Sequence, residues 1–416
     1  MRDIARRVIT SWPASHAIWA RFRRAQVLHE YERRRDRYFA LSNGTYNEPK
    51  IRAEIKQHLR TRGYHAHPRP IGAVHTFAFI PNLGWHRHLL PDLRELGSVT
   101  HFDYVSHGFD IQRLYGGDLG HRSQLNELWV NTLLRTHRKC PVDWIFVYAG
   151  GAEVSASAVR RVADEIGVPT VNMCLDDKQS WAGRLIGEER AGQIDLASAF
   201  DLSWTSARIA CDWYIAEGGR PIYMPEGCDI STFRPIKCHR DLAVSFIGAA
   251  YGFRKQTIRY LRKYGIPVAV FGPGWGTASV WGEDAAGVMN RSLMNLGMGG
   301  IGYSETLTNV KTRDFEVPAA GGGVYLTSFN SDLAQHFVIG EEILCYRDRI
   351  EMLELIRYYL SHPHEARAIA ARARQRCVRE HRWLHRYQRI CEILGILDDS
   401  LLERRLEHNL VSAGRL

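Results

Sequence analysis

The sequence predicts an α/β chain made of two successive parallel-sheet halves behind a basic helical segment. Three observations carry this expectation. From residue 71 onward, short β-rich runs alternate with helix-length amphipathic stretches, the pattern of a parallel sheet covered on both faces. The alternation stops at a proline-bearing seam, residues 225–235, and then restarts. The whole net charge of +10 lies in residues 1–70, which hold 16 Lys/Arg against 6 Asp/Glu, while the other 346 residues carry 39 of each sign.

A chain of 416 residues, 45% apolar and 24% charged, suits two or three globular domains and excludes a disordered or collagen-like chain. The longest strongly apolar stretch, about residues 73–80, is far short of the ~20 residues that span a bilayer. The charged start, Met1-Arg2-Asp3-Ile4-Ala5-Arg6-Arg7, is followed by no long apolar segment, so no secretory signal is read there. Eight cysteines form no CxxC pair and sit at no zinc spacing, which suits reduced thiols in a cytoplasmic protein.

In the basic segment, Ile4, Val8 and Ile9, then Ile18, Trp19, Phe22, Ala25, Leu28 and Tyr31, fall close to helical spacing. Arg21, Arg23, Arg24, Arg33, Arg34, Arg35 and Arg37 lie among them. Pro13 and the Ser42-Asn43-Gly44 stretch are expected to break the helices. Two readings stand. One is a helical extension whose apolar stripe packs on the main body. The other is a peripheral surface, residues 1–40, resting on anionic lipid at the inner membrane face, where each basic residue gains on the order of 1 kcal/mol. No nucleic-acid motif accompanies the charge, so nucleic acid is not expected as a partner.

In the first half, strands are expected at 74–80, 99–104, 143–148, 169–175 and 201–204. Helices are expected at 86–96, 125–136, 155–166 and 206–217. In the second half, strands are expected at 242–247, 267–271, 300–304 and 324–327, with helices at 254–264, 313–320, 350–361, 363–380 and 383–394. Each strand run is short, apolar and bounded by Gly, Pro, Asn or Asp, and each helix run carries a 3.6-residue apolar period. The domains expected are 1–70, 71–224 and 225–380, with residues 381–416 rejoining the first half. Ligands in such sheets bind beyond the carboxyl ends of the strands.

Several motifs fall at those ends. Gly248, after the strand 242–247, opens a small-residue turn into a helix whose first residues are Arg254 and Lys255. Backbone N–H groups there can meet an anion, or the turn can be an ordinary one. Gly272 ends the next strand in Phe271-Gly272-Pro273-Gly274. Lys311, Arg313 and Glu316 stand at the start of a short helix. Cations there suit a diphosphate and a carboxylate suits ribose hydroxyls; a structural Arg313–Glu316 ion pair is the other reading. Asp176 and Asp177 follow the strand 169–175. They can bind sugar hydroxyls or act as a base, or Asp can cap a helix. Asn82, Gly84, Trp85 and His86 follow the first strand of the main body and could line the same cleft as substrate contacts. No third ligand stands near the paired acids, so no metal is expected. Gly297-Met298-Gly299-Gly300-Ile301-Gly302 matches GxGxxG, but a helical stretch is expected before it and none after it, against a dinucleotide loop.

Together these residues resemble a GT-B glycosyltransferase, most closely the CgeB-like (spore-maturation-protein-like) branch of the group-one type. The resemblance covers about residues 143–387. It rests on Met224-Pro225-Glu226-Gly227-Cys228-Asp229 with Phe233-Arg234-Pro235, on Val270-Phe271-Gly272-Pro273-Gly274-Trp275, on Arg313-Asp314-Phe315-Glu316-Val317-Pro318-Ala319-Ala320-Gly321-Gly322, and on His381 with Arg386. It implies two Rossmann-like domains facing a cleft, and a nucleoside diphosphate sugar (UDP- or GDP-linked) held mainly by the second. It also implies no required cofactor and transfer, with retention, to a hydroxyl of a glycan, lipid-linked saccharide or protein. Glu316 matches the ribose-binding second acid of the family's glutamate pair, and Arg254 and Lys311 fall where cations meet the diphosphate. Two departures stand out: Thr308 replaces the first glutamate, and Asp176-Asp177 replaces a histidine. A degenerate relative that only binds sugar nucleotide or glycan, and a nucleotide-sugar epimerase, are the alternatives.

Overall fold

Strand alternation decides where each helix packs. In β1 (Thr76–Phe79), Phe77 and Phe79 join one apolar core with Ile145 and Val147. Ala78 and Ile80 join another, on the opposite face, with Trp144 and Phe146. A sheet buried on both faces needs apolar residues at every position, as an all-parallel sheet does. The computed structural model describes residues 13–42 and 46–397. It separates into two units: Tyr38–Pro225 with the chain from Trp383 onward, and Glu226–Arg382 with the chain up to Arg37.

The first unit holds a six-stranded sheet of order β2-β1-β3-β4-β7-β8, with every pair parallel. Its strands are β1, β2 (Val99–Phe102), β3 (Trp144–Val147), β4 (Thr170–Cys174), β7 (Leu202–Thr205) and β8 (Pro221–Tyr223). A two-residue hairpin, β5 (Leu185–Ile186) and β6 (Glu189–Arg190), stands apart. α1 (Pro13–Ser42) belongs to this unit only from Tyr38, its residues up to Arg37 grouping with the second, and α2 (Glu48–Thr61) precedes the sheet. α3 (Trp85–Glu95), α4 (Ile111–Gly116), α5 (Leu119–Lys139), α6 (Ala156–Ile166), α7 (Asp177–Ser180) and α8 (Ala210–Ala216) connect its strands.

The second unit has a five-stranded parallel sheet of order β10-β9-β11-β12-β13. These are β9 (Leu242–Ile247), β10 (Val268–Phe271), β11 (Ser292–Leu296), β12 (Val324–Ser328) and β13 (Leu344–Tyr346). Around them lie α9 (Arg254–Lys263), α10 (Gly282–Arg291), α11 (Arg313–Ala320), α12 (Arg349–Ser361) and α13 (Pro363–Glu380). The last described helix, α14 (Trp383–Ile393), groups with the first unit. There Asp92 accepts the Leu384 N–H at 2.8 Å and Tyr387 donates its hydroxyl to the Leu89 carbonyl at 3.1 Å. Both units are Rossmann-like α/β sheets.

The structure corrects three local expectations. Pro13 is not among them: it stands at the first position of α1, where the helix needs no amide hydrogen from it, and the residues before it lie outside the described ones. Residues 300–304 are not a strand. They are a loop bridged to itself through Gly300 and Thr308. The central strand β11 lies where a helical stretch was expected. Its Ser-Leu-Met-Asn-Leu sequence has no β-branched residue, but Asn295 is buried and receives the Ser245 hydroxyl at 2.9 Å, so sheet position overrides propensity. β8 and β13 were not foreseen at all. The expectations on Ile4, Val8, Ile9, Asn43 and Gly44, and on the chain beyond residue 397, fall outside the described residues. No described helix is long and apolar enough to cross a membrane.

Candidate functional site

In each sheet the strand order reverses between two neighbours, β1 and β3 in the first unit, β9 and β11 in the second. The crevice at the carboxyl edge of such a reversal is where open α/β sheets take ligands. The expected donor residues, Gly248, Arg254, Gly272, Lys311, Arg313 and Glu316, all fall at the carboxyl edge of the second sheet.

Arg254 is the first residue of α9, and only 9% of it is exposed. Its guanidinium donates to the carbonyls of Ala249 at 3.0 Å and Met298 at 3.2 Å, so it joins the loops after β9 and β11. It lies 4.3 Å from the centroid of the Tyr251 ring. Burial lowers its pKa, and no carboxylate is among the groups acting on it. Its Nε has no partner. A buried cation without an acid is costly unless an anion completes it. The N-terminus of α9 also lacks a side-chain cap.

The two glycines act differently from the expectation. The Gly248 N–H is donated to the Phe271 carbonyl at 2.8 Å and the Ala250 N–H to that of Pro273 at 2.8 Å. Neither is left for a phosphate. Trp275 adds an indole N–H to the Gly248 carbonyl at 2.7 Å. The backbone of Gly272, at φ 128°, lies so close that a Cβ there would stand 2.7 Å from the Gly248 oxygen. Gly248 and Gly272 press two loops together.

At the start of α11, the Lys311 N–H is donated to Asp314 at 2.7 Å, and Tyr325 donates its hydroxyl to the same carboxyl at 2.6 Å. Burial raises the Asp314 pKa to about 6. Glu316 is 1% exposed, and its carboxylate pairs with Arg313 one turn earlier. The ion pair weighed from sequence is therefore present. Lys311 is half-buried just ahead of the helix. The loop preceding it returns to β11 through the Asn309 N–H, donated to the Gly299 carbonyl at 3.0 Å, next to the Met298 carbonyl that Arg254 holds. In the GxGxxG segment a strand does precede the glycines, but no helix follows them, because the chain doubles back between Gly300 and Thr308.

In the first unit, Asp176 and Asp177 part ways. Asp177 is fully buried. One oxygen accepts the Thr205 hydroxyl and the other the Tyr214 hydroxyl at 2.9 Å, and burial raises its pKa to about 6. It joins β7 to α8 through both oxygens. Asp176 is exposed ahead of α7. Trp85 is partly buried and packs on the core, 5.3 Å from the Tyr148 ring and 6.4 Å from that of Trp383. Gly84 caps α3 at φ 103°. Asn82 and His86 line a cavity of about 440 Å³ with Arg87, Arg94, His101 and His107, four residues that the sequence reading passed over. The i, i+7 spacing of Arg87 and Arg94 on α3 was the one available signal. Among the described residues no group of three His, Cys, Asp or Glu could hold a metal ion.

Solved structures share this architecture. Sucrose-phosphate synthase from Thermosynechococcus elongatus aligns over 82% of this chain and 100% of its own, at TM-score 0.51 and 11% identity. Anabaena HepE, solved with UDP and glucose, aligns over 77% and 99%, at TM-score 0.52 and 11% identity. The α,α-trehalose-phosphate synthase (UDP-forming) of Burkholderia vietnamiensis aligns over 78% and 100%, at TM-score 0.51 and 10% identity. The fold is thus GT-B, with parallel sheets in two Rossmann-like domains. Residues 254–392, a third of the chain, match the family model described as glycosyl transferase-like. No curated protein matches the chain in sequence.

Proposed function

We propose that the protein is a glycosyltransferase of the CgeB-like branch. It moves a hexose-type sugar from a UDP- or GDP-sugar to a hydroxyl of a glycan, lipid-linked saccharide or protein, with retention. The carrying observation is Arg254, a buried guanidinium with no acid partner at the strand-order reversal of the second sheet. A leaving diphosphate supplies the missing anion. Arg254, Lys311 and the uncapped α9 terminus stabilise its charge, a contribution that grows as the bond to the sugar breaks. Glu316 holds the ribose once the donor draws it from Arg313. Asp176 orients the sugar or acceptor. Calorimetric titration of the full chain with UDP-, GDP-, ADP- and TDP-sugars tests the reading. One nucleotide class should bind, and Arg254→Met should weaken it by at least about ten-fold, some 1.4 kcal/mol. No binding by any of them would refute it.

One observation favours a second reading, in which the chain binds sugar nucleotide without turnover. Thr308 stands where a first glutamate is expected, and Glu316 is engaged by Arg313. Slow donor hydrolysis or transfer, lost in Glu316→Ala, decides for the enzyme. Binding without turnover decides for the binder.

The basic segment supports a peripheral cytoplasmic placement. Arg21, Arg24, Arg33 and Arg35 of α1 are exposed, and so are Phe22 and Phe39. Full-length protein should sediment with anionic liposomes more strongly than a chain starting near Ile71. Equal sedimentation would remove the lipid reading.

A further inference from the structure

The cavity beside α3 has a chemistry of its own. Arg87, Leu90 and Arg94 fall at i, i+3 and i+7, so they share one face of α3, and that face forms one wall. The other wall is the edge strand β2 with the loop after it, which brings His101, Asp103, Ser106 and His107. Asn82 and His86, on either side of the start of α3, complete the lining.

The charges inside do not cancel. Arg87 and Arg94 are exposed, and neither forms an ion pair among the described residues. His101 donates Nε2–H to the Ile80 carbonyl at 2.7 Å, and His107 turns Nδ1 to the Asp103 carbonyl at 2.8 Å. The imidazoles of His86 and His101 lie nearly parallel, with centroids 6.4 Å apart. The Nδ1 of His86 is buried with no hydrogen-bond partner. The one acid, Asp103, is committed elsewhere: its carboxylate accepts the N–H groups of Asn82 at 2.8 Å, Val105 at 3.0 Å and Ser106 at 3.2 Å.

We propose that this cavity binds a phosphate group carried by the saccharide acceptor, with Arg87, Arg94 and His86 as its principal contacts. Two guanidinium forks and the His86 and His101 imidazoles line one small volume. That set matches a tetrahedral dianion better than a single carboxylate, because it offers donors from several directions. A volume of about 440 Å³ admits a monosaccharide phosphate. The role as acceptor site rests on the glycosyltransferase reading; the binding of phosphate does not.

Burial, Arg87, His101 and His88 lower the His86 pKa, against Asp103, which raises it. A bound dianion reverses that balance, so the imidazole should take up a proton.

The test uses the full chain with UDP at saturation, so that the donor site is filled. Inorganic phosphate, glucose 6-phosphate and glucose are titrated by calorimetry, with the His86 resonance followed by NMR. A short polyprenyl phosphate in detergent micelles tells a lipid-borne phosphate from a soluble one. Phosphate and glucose 6-phosphate should bind, glucose should not, and the His86 pKa should rise. Arg87→Glu with Arg94→Glu, two exposed positions, should weaken binding at least about ten-fold and leave UDP affinity unchanged. His86→Gln should weaken it to a lesser degree. Equal phosphate affinity in the double variant, an unmoved His86 pKa, or no binding at about 10 mM would overturn the proposal. Failure of UDP to bind would refute the donor site and leave this readout intact.

Discussion

Arg254 donates through Nη2 to the Met298 carbonyl at 3.2 Å and through Nη1 to that of Ala249 at 3.0 Å. One side chain therefore fixes both loops at the strand-order reversal and keeps its charge uncompensated. The two jobs can be separated. Arg254→Met keeps the stem and removes the donors and the charge. A buried carbonyl and a partly buried one lose a partner, at a cost of about 1–3 kcal/mol, read by urea unfolding. If the charge also serves the diphosphate, UDP affinity should fall at least about ten-fold in the temperature range where the variant stays folded. Lost stability with unchanged affinity would leave Arg254 a loop tie only.

Glu316 pairs with Arg313 inside α11, with side-chain exposures of 2% and 24%. Removing the guanidinium weakens the hold on a buried carboxylate, so Arg313→Ala should cost about 1–3 kcal/mol. Arg313→Ala combined with Glu316→Gln should recover part of that, because the buried carboxylate charge is gone. A double-mutant cycle by urea unfolding measures the coupling. Coupling near zero would mean that Glu316 is held by other groups.

Much of this architecture was legible because the strands are buried on both faces. The bounds of β9, α11 and α13 follow from apolar runs that glycine, proline or a charge change terminates. β11 was not legible, since its sequence carries no strand propensity and its place is set by Ser245 and its neighbours on either side. In the site, the residue types at Gly248, Arg254 and Lys311 were visible but their partners were not, whereas the i, i+3 spacing of Arg313 and Glu316 did offer their ion pair. Spacing cannot tell that the Gly248 N–H is already donated, or that Asp177 turns inward while Asp176 turns out. Nor could it gather Arg87, Arg94, His86 and His101, because one wall of their cavity is a helix and the other a strand.

Gly272 holds φ 128° with its backbone against Gly248. An alanine there meets two penalties, a conformation that L residues avoid and a backbone oxygen 2.7 Å from the new carbon. Gly272→Ala should cost about 2–4 kcal/mol. Gly276, at φ 79° with nothing within 4 Å of its would-be Cβ, should lose only about 1 kcal/mol as Ala. The comparison by thermal unfolding isolates the contact. Equal losses would mean that the loops are free to part.

Asp177 makes folding pH-dependent in a direction opposite to that of a salt-bridged acid. Burial holds its native pKa at about 6, above the ~3.9 of an exposed aspartate. Between those values the native state binds the proton that the unfolded chain releases. Stability is then fullest below about pH 4 and falls as the pH rises through about 6, by roughly 3 kcal/mol at most. Asp314 titrates in the same window for the same reason, so the whole protein should show the sum of the two. Asp177→Asn keeps an oxygen for one hydroxyl, turns its amide toward the other, and never ionises. Its stability relative to the native chain should therefore improve by about 1–3 kcal/mol between pH 4.5 and pH 8, read from urea midpoints at each pH. Parallel profiles for the two proteins would show that Asp177 stays ionised throughout and that its hydroxyl partners outweigh its burial.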